Sequence, residues 1–253
     1  MIHNILFDLG NVLIDVDIRK TLRAFGTLRE GMGDRLQATG DRLLATGNRL
    51  QATGDWQQAT GNRLQATGDW LQATGNRREG DRLMGESNTI ITAGDLIGAG
   101  ESGLVAKYQV GEISTDEFIN AILTICKPGT TRQDVIDAWM AMLVGIPEAR
   151  YRKLMDLHKQ GYKLYVLSNI NELHVDWTRE QLKDIPFEQM FFSNEIHLAK
   201  PDARCYEMVI RETGIKPEET LYIDDLPANM EAGKNVGFEC FLNDRADKWV
   251  EHI

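Results

Sequence analysis

Nowhere does this chain run eighteen apolar residues together, so it offers no segment long enough for a membrane-spanning helix. A basic segment followed by an apolar stretch is also missing before Asn4, and no secretory signal is expected. Cysteine is scarce. Cys126, Cys205 and Cys240 are odd in number and lack ligand spacing, which argues against a disulfide framework and against a zinc site, and points to a reducing, cytoplasmic setting. Positive charge is short too: 28 Lys and Arg face 38 Asp and Glu, for a formal net charge of −10. With no basic cluster, neither nucleic acid nor a membrane surface is an expected partner. Apolar residues are ample at 42% of 253, enough for one large domain or a core with a smaller companion.

Four short strings stand in a fixed order. They are Ile5-Leu6-Phe7-Asp8-Leu9-Gly10-Asn11-Val12, Val166-Leu167-Ser168-Asn169, Ala199-Lys200-Pro201 and Leu221-Tyr222-Ile223-Asp224-Asp225. In three of them a run of β-favouring residues ends abruptly in a carboxylate, hydroxyl or amide, as when a buried parallel strand delivers a functional group to its carboxyl edge. Lys200 instead opens a loop or helix. A carboxylate nucleophile, a hydroxyl, a cation and a pair of acids suffice to move a phosphoryl group with a divalent metal, and a small phosphorylated substrate is the expected partner.

In order and spacing, these strings resemble the four motifs of the haloacid-dehalogenase-like hydrolase superfamily. The run Asp8-Leu9-Gly10-Asn11-Val12, followed by Ile14-Asp15-Val16-Asp17, looks more specifically like its branch of bacterial sugar-phosphate phosphatases such as alpha-D-glucose-1-phosphate phosphatase. The resemblance implies that Asp8 attacks phosphorus and that Lys200 offsets charge on it. Ser168 and the amide of Asn169 would bind the phosphoryl oxygens, with the backbone N–H groups of Leu9 and Gly10 completing the cradle. Asp224 and Asp225 repel one another unless a cation lies between them, so Mg²⁺ shared with Asp8 is expected, with the Gly10 carbonyl as the further ligand that the family implies. Which of the paired acids is the direct ligand stays open. One departure stands out: most phosphatases of the family carry an acid two residues after the nucleophile, where this chain has Gly10. Asp15 or Asp17, a cap residue or a metal-bound water are candidates to replace it. The rival readings are a catalytically weak binding or scaffold protein, a phosphoryl-transferring mutase, and a metal-free dehalogenase. The lack of an acid-base residue beside Asp8 opposes the mutase, and the Asp224-Asp225 pair opposes the dehalogenase.

The expected fold is α/β, a Rossmann-like doubly wound parallel sheet with an inserted helical cap. Core segments are expected at 1–14 and 146–253 and the cap at 15–145, with seven-residue repeats at 33–79. Six near-identical copies, starting with Gly33-Asp34-Arg35-Leu36-Gln37-Ala38-Thr39, run to Thr74. With one large apolar residue per copy the coiled-coil seam is poor, and six helical glycines would cost about 5 to 6 kcal/mol relative to alanine. A tolerated insertion is the simplest reading, and self-association through the repeat is the alternative. Capping boxes at Ser114 to Glu117 and at Thr131 to Asp134 predict helices, one through Cys126 and one carrying Val135, Ala138, Trp139 and Leu143. Further helices are expected over 147–160, 172–182, 201–213 and 227–235, and strands ending at Ser168, Ser193, Asp224 and Leu242. The glycine string from Gly98 to Gly103 lacks the βαβ unit that a dinucleotide site needs. His3, His158, His174 and His197 show no metal spacing and read as packing or surface residues. Tyr108, Trp139 and Trp177 are candidate pocket aromatics, with core packing as the simpler role.

Overall fold

The computed structural model describes residues 1–28 and 103–253. The repeat at 33–79, its suggested self-association and residues 98–102 of the glycine string lie outside the described residues. Strands β1 (Asn4–Phe7), β4 (Lys163–Ser168), β5 (Phe187–Phe192), β6 (Thr220–Asp224) and β7 (Glu239–Leu242) form one sheet in the order β5-β4-β1-β6-β7. Every neighbouring pair is parallel. Side chains alternate across a strand, and both faces here are apolar. Ile5, Phe7, Leu164, Val166 and Ile223 pack on one face with α5 (Glu148–Lys159), α6 (Glu172–Leu182) and α10 (Lys248–His252). Leu6, Tyr165, Leu167 and Tyr222 pack on the other with α8 (Ala203–Thr213) and α9 (Pro227–Asn235). The expected doubly wound α/β core is therefore present, and its parallel strands bring Asp8, Ser168 and Asp224 to one edge.

Helices α1 (Ile18–Thr27), α2 (Leu104–Gln109), α3 (Thr115–Leu123) and α4 (Arg132–Met140) build a separate apolar cluster. Both capping boxes form, at Ser114 with Glu117 and at Thr131 with Asp134. The helix expected through Cys126 ends at Leu123, because Thr124 Oγ1 donates to the Ala121 carbonyl and the chain tightens into bonds from Ile125 to Ile122 and from Cys126 to Leu123. Leu143 is not on α4. It belongs to β3 (Leu143–Gly145), which pairs antiparallel with β2 (Asp15–Val16), while the Asp17 N–H takes the Met142 carbonyl at 2.8 Å. This ladder captures backbone that a helix would otherwise use.

Tyr108 and Trp139 take the simpler role: Tyr108 stacks on Phe118 at 4.3 Å, and Phe118 meets Trp139 edge-on at 4.8 Å. Trp177 packs against the sheet. The strand expected to end at Ser193 stops at Phe192, and Ser193 opens the short helix α7 (Ser193–Ile196). The helix expected from 201 starts at Ala203, where Asp202 caps it by accepting from the Arg204 N–H at 2.9 Å. At the far end of the chain Trp249, fully buried on α10, meets Phe7 edge-on at 5.1 Å and donates Nε1–H to the Val12 carbonyl at 2.9 Å.

Candidate active site

β1 is continued by the Asp8 N–H, which donates to the Ile223 carbonyl at 2.9 Å and brings the carboxylate onto the sheet edge with 8% exposure. The chain then turns tightly. Leu13 and Ile14 both donate to the Leu9 carbonyl at 2.8 Å, and Asn11 sits in the left-handed region at φ 57°, a conformation asparagine tolerates. The N–H groups of Leu9 and Gly10 meet no acceptor among the described residues, and neither does the Ser168 hydroxyl.

Lys200 binds the strand ends together. Its side chain, 2% exposed, donates from Nζ to Asp8 Oδ1 at 2.7 Å and to Asp224 Oδ2 at 2.6 Å. Its backbone is clasped by Asn169, whose Nδ2 donates to the Lys200 carbonyl and whose Oδ1 accepts from the Lys200 N–H, both at 2.8 Å. One N–H of the Asn169 side-chain amide and its oxygen are therefore committed to the Lys200 backbone. Asp224 is the most heavily bonded acid: besides Lys200 it accepts from Tyr222 OH at 2.5 Å, the Leu226 N–H at 2.8 Å and Asn229 Nδ2 at 3.0 Å. Among the described residues Asp225 accepts a single hydrogen bond, from Asn11 Nδ2 at 3.3 Å.

Oxygens of Asp8, Asp224 and Asp225 lie within 4.8 Å of one another. Burial, opposed by Lys200 and reinforced by Asp224 and Asp225, pushes the Asp8 carboxyl up to about 7. Burial and the Asp224 charge raise Asp225 as well. For Lys200, burial favours the neutral amine, but Asp8 and Asp224 outweigh it and the ammonium is held more firmly than usual. Three carboxylates against one ammonium leave two negative charges unmatched. A hard divalent cation bound by oxygen satisfies that imbalance, and the donor set fits Mg²⁺.

Asp15 and Asp17, two of the candidates expected to replace the missing acid, each have an ion-pair partner of their own. Asp15 pairs with Arg150 Nη2 at 2.9 Å, and Asp17 caps α1 and pairs with Arg19 Nε at 3.0 Å. Gly10 leaves space: a Cβ there would meet only Val16 Cγ2 at 3.8 Å and Asp8 Oδ2 at 4.0 Å. Sequence reasoning missed Asn11, Asn229 and Asn243. Asn243 donates its N–H to the Asp224 carbonyl at 2.8 Å and its Nδ2 to the Asn11 carbonyl at 3.0 Å. Asn229 was findable as the polar residue one helical turn past the acid pair, whereas nothing local marks Asn243.

The same fold recurs in known proteins. The family model for haloacid dehalogenase-like hydrolases matches residues 2–237, and the chain belongs to that family. D-ribitol-5-phosphate phosphatase of Bacteroides thetaiotaomicron is 24% identical over 161 residues, covering 60% of this chain and 77% of the relative. A phosphatase of Mycobacterium tuberculosis is 28% identical over 136 residues, covering 51% of this chain and 61% of the relative. A HAD family enzyme of Bacteroides thetaiotaomicron, solved in complex with magnesium and inorganic phosphate, matches the fold with a TM-score of 0.64 at 20% identity, over 98% of this chain and 96% of that one. Among the described residues no helix is long and apolar enough to cross a membrane.

Proposed function

We propose that this protein is a Mg²⁺-dependent phosphatase of a small phosphorylated metabolite, a sugar or polyol phosphate, acting through an aspartyl phosphate on Asp8. The observation that carries the reading is the buried cluster in which Lys200 bridges Asp8 and Asp224 at 2.7 and 2.6 Å beside Asp225. An Asp8 oxygen bonds to phosphorus as the ester P–O bond breaks, and the leaving oxygen keeps the electron pair and takes a proton from water. A second water then attacks phosphorus, which frees phosphate and restores the carboxylate. Lys200 holds Asp8 Oδ1 and offsets charge on the transferring group. The Ser168 hydroxyl and the N–H groups of Leu9, Gly10 and Asn169 receive the phosphoryl oxygens. Mg²⁺, held by Asp8, Asp225 and the Gly10 carbonyl, would supply neutralisation of phosphoryl charge. Asp225 is the direct ligand in this reading because the oxygens of Asp224 already serve protein donors, so Asp224 anchors Lys200 instead. The helices α1 to α4 act as the cap, and the ribitol-phosphate relative supports the substrate class.

A panel of phosphate esters assayed with and without Mg²⁺ tests this. Turnover should require the metal and vanish in Asp8→Asn while the fold persists. Metal-independent turnover, or an active Asp8→Asn, would sink the proposal.

A further inference from the structure

After β4 ends at Ser168, Asn169-Ile170-Asn171 has no regular structure, yet each of the three is pinned from elsewhere. Asn169 is clasped to the Lys200 backbone. Asn171 caps α6, and its Oδ1 also accepts from Trp139 Nε1, on α4, at 3.3 Å. Ile170 belongs to Ser193: its N–H donates to Ser193 Oγ at 2.8 Å, and its carbonyl lies 3.0 Å from the same oxygen. Ser193 has a third neighbour, the carbonyl of Gln109 at the end of α2, at 2.5 Å.

A hydroxyl carries one proton, so Ser193 can donate to Gln109 or to Ile170 but not fully to both. At 1% exposure it has no exchange with bulk water to relieve the choice. The two acceptors lie in different units, one in the helical cluster and one in the segment that leads away from Ser168. Close seating of the two units is evident beside it. Gly111, at φ 69°, approaches so nearly that a Cβ would stand 2.6 Å from the Asn194 carbonyl, and His197 Nδ1 lies 2.9 Å from the Val110 carbonyl.

We infer that Ser193 is a positioning residue that ties seating of the cap to the grip on phosphate, an inference that rests on the phosphatase reading of the Asp8 site. With the cap seated, Ser193 donates to Gln109 and accepts from the Ile170 N–H, and this fixes the segment presenting the Ser168 hydroxyl and the Asn169 N–H. With the cap lifted, the proton returns to the Ile170 carbonyl. Ser193 never touches substrate and acts through the segment it holds.

The test uses the full chain with Ser193→Ala and Ser193→Thr. It reads melting temperature, the dissociation constant of inorganic phosphate in Mg²⁺, and kcat and KM for p-nitrophenyl phosphate. Ser193→Ala should weaken phosphate binding and lower kcat by at least about tenfold each, and Ser193→Thr, which keeps the hydroxyl, should recover most of both. In a Ser168→Ala background the loss of phosphate binding caused by Ser193→Ala should largely disappear, because both changes disable one grip. Phosphate binding and turnover in Ser193→Ala within about threefold of wild type overturn the inference, as do losses that add in full to those of Ser168→Ala. If the alanine variant does not fold, Ser193→Cys replaces it, and an intact phosphate grip there has the same force. A wild-type chain that neither binds phosphate nor turns over ester with Mg²⁺ instead rejects the phosphatase reading itself.

Discussion

Lys200→Met would remove the one cation from a cluster of three carboxylates while keeping most of the side chain's bulk. The ammonium sits 2.7 Å from Asp8 and 2.6 Å from Asp224, whose side chains are 12% and 0% exposed. Removing one partner of a buried ion pair costs about 3 to 5 kcal/mol, because the other charge is left uncompensated. Two carboxylates lose a partner here, but the cluster can shed charge by binding a proton, so a loss of about 3 kcal/mol is expected without metal. In a chain of this size 1 kcal/mol moves Tm by about 2 to 4 °C, which places the variant about 6 to 12 °C below wild type in EDTA. Mg²⁺ should then stabilise the variant by more than it stabilises wild type, since a ligand of the folded state adds RT ln(1 + [L]/Kd) and the cation now meets one more unmatched negative charge. Turnover should fall by at least about a hundredfold even in saturating Mg²⁺. Calorimetric melts across a Mg²⁺ titration decide the matter. A variant melting within about 2 °C of wild type in EDTA, or one gaining no more from Mg²⁺ than wild type does, would refute the view that Lys200 compensates the cluster.

Burial holds His174 down at about 4, against an ordinary 6.5, with the Trp139 carbonyl opposing. The folded state therefore disfavours the proton: stability is unaffected above about pH 6.5 and falls as pH drops toward 4, by up to about 3 kcal/mol, a slope that urea melts should find reduced in His174→Gln. Gly10→Asp has room for its Cβ and restores a carboxyl two residues after Asp8. It should fold normally and speed hydrolysis of esters with poor leaving groups by about tenfold or more relative to p-nitrophenyl phosphate, and an unchanged ratio would show that proton donation is not limiting. Trp249→Ala should cost about 3 to 5 kcal/mol in urea denaturation, because it empties the site against Phe7 and leaves the Val12 carbonyl without its donor. Excision of three whole repeat units between Gly40 and Thr74 should change turnover by less than about tenfold, and loss of activity with an intact melt would give the repeat a role in catalysis.

Much of the core could be read directly, because strands buried on both faces are continuous apolar runs and a functional residue that ends such a run has one edge to go to. Asp8, Ser168, Asp224 and Asp225 were legible for that reason, and Lys200 through the order and spacing of the four strings. The two-residue strand β2 was not, since its pairing with β3 depends on a backbone about 130 residues away and on no local pattern. Nor was the occupation of the Asn169 side chain. An asparagine after a strand reads as a free amide until the Lys200 backbone is seen to fill both ends of it. Asn243 joins Asp224 to Asn11 by long-range hydrogen bonds that leave no periodicity behind. The sequence alone could not choose between Asp224 and Asp225; their unequal numbers of protein donors are the basis for proposing Asp225 as the direct ligand.

β1 lies in the middle of the sheet, with β4 on one side and β6 on the other, although it comes first in the chain. During synthesis its two rows of backbone donors and acceptors must wait for partners made much later. Thr220 follows Phe7 by 213 residues, which at about 5 to 20 residues per second is roughly 10 to 40 s. Until β4 is made, the strand leading to Asp8 is an apolar ribbon with two open edges, and until β6 is made one edge stays open, the kind of segment that pairs with the wrong chain. Trp249 and the Asp8 turn come together later still. Asp8 is made well before the residues that come to surround it, so a chain stalled between them would expose an apolar strand with an unpaired edge.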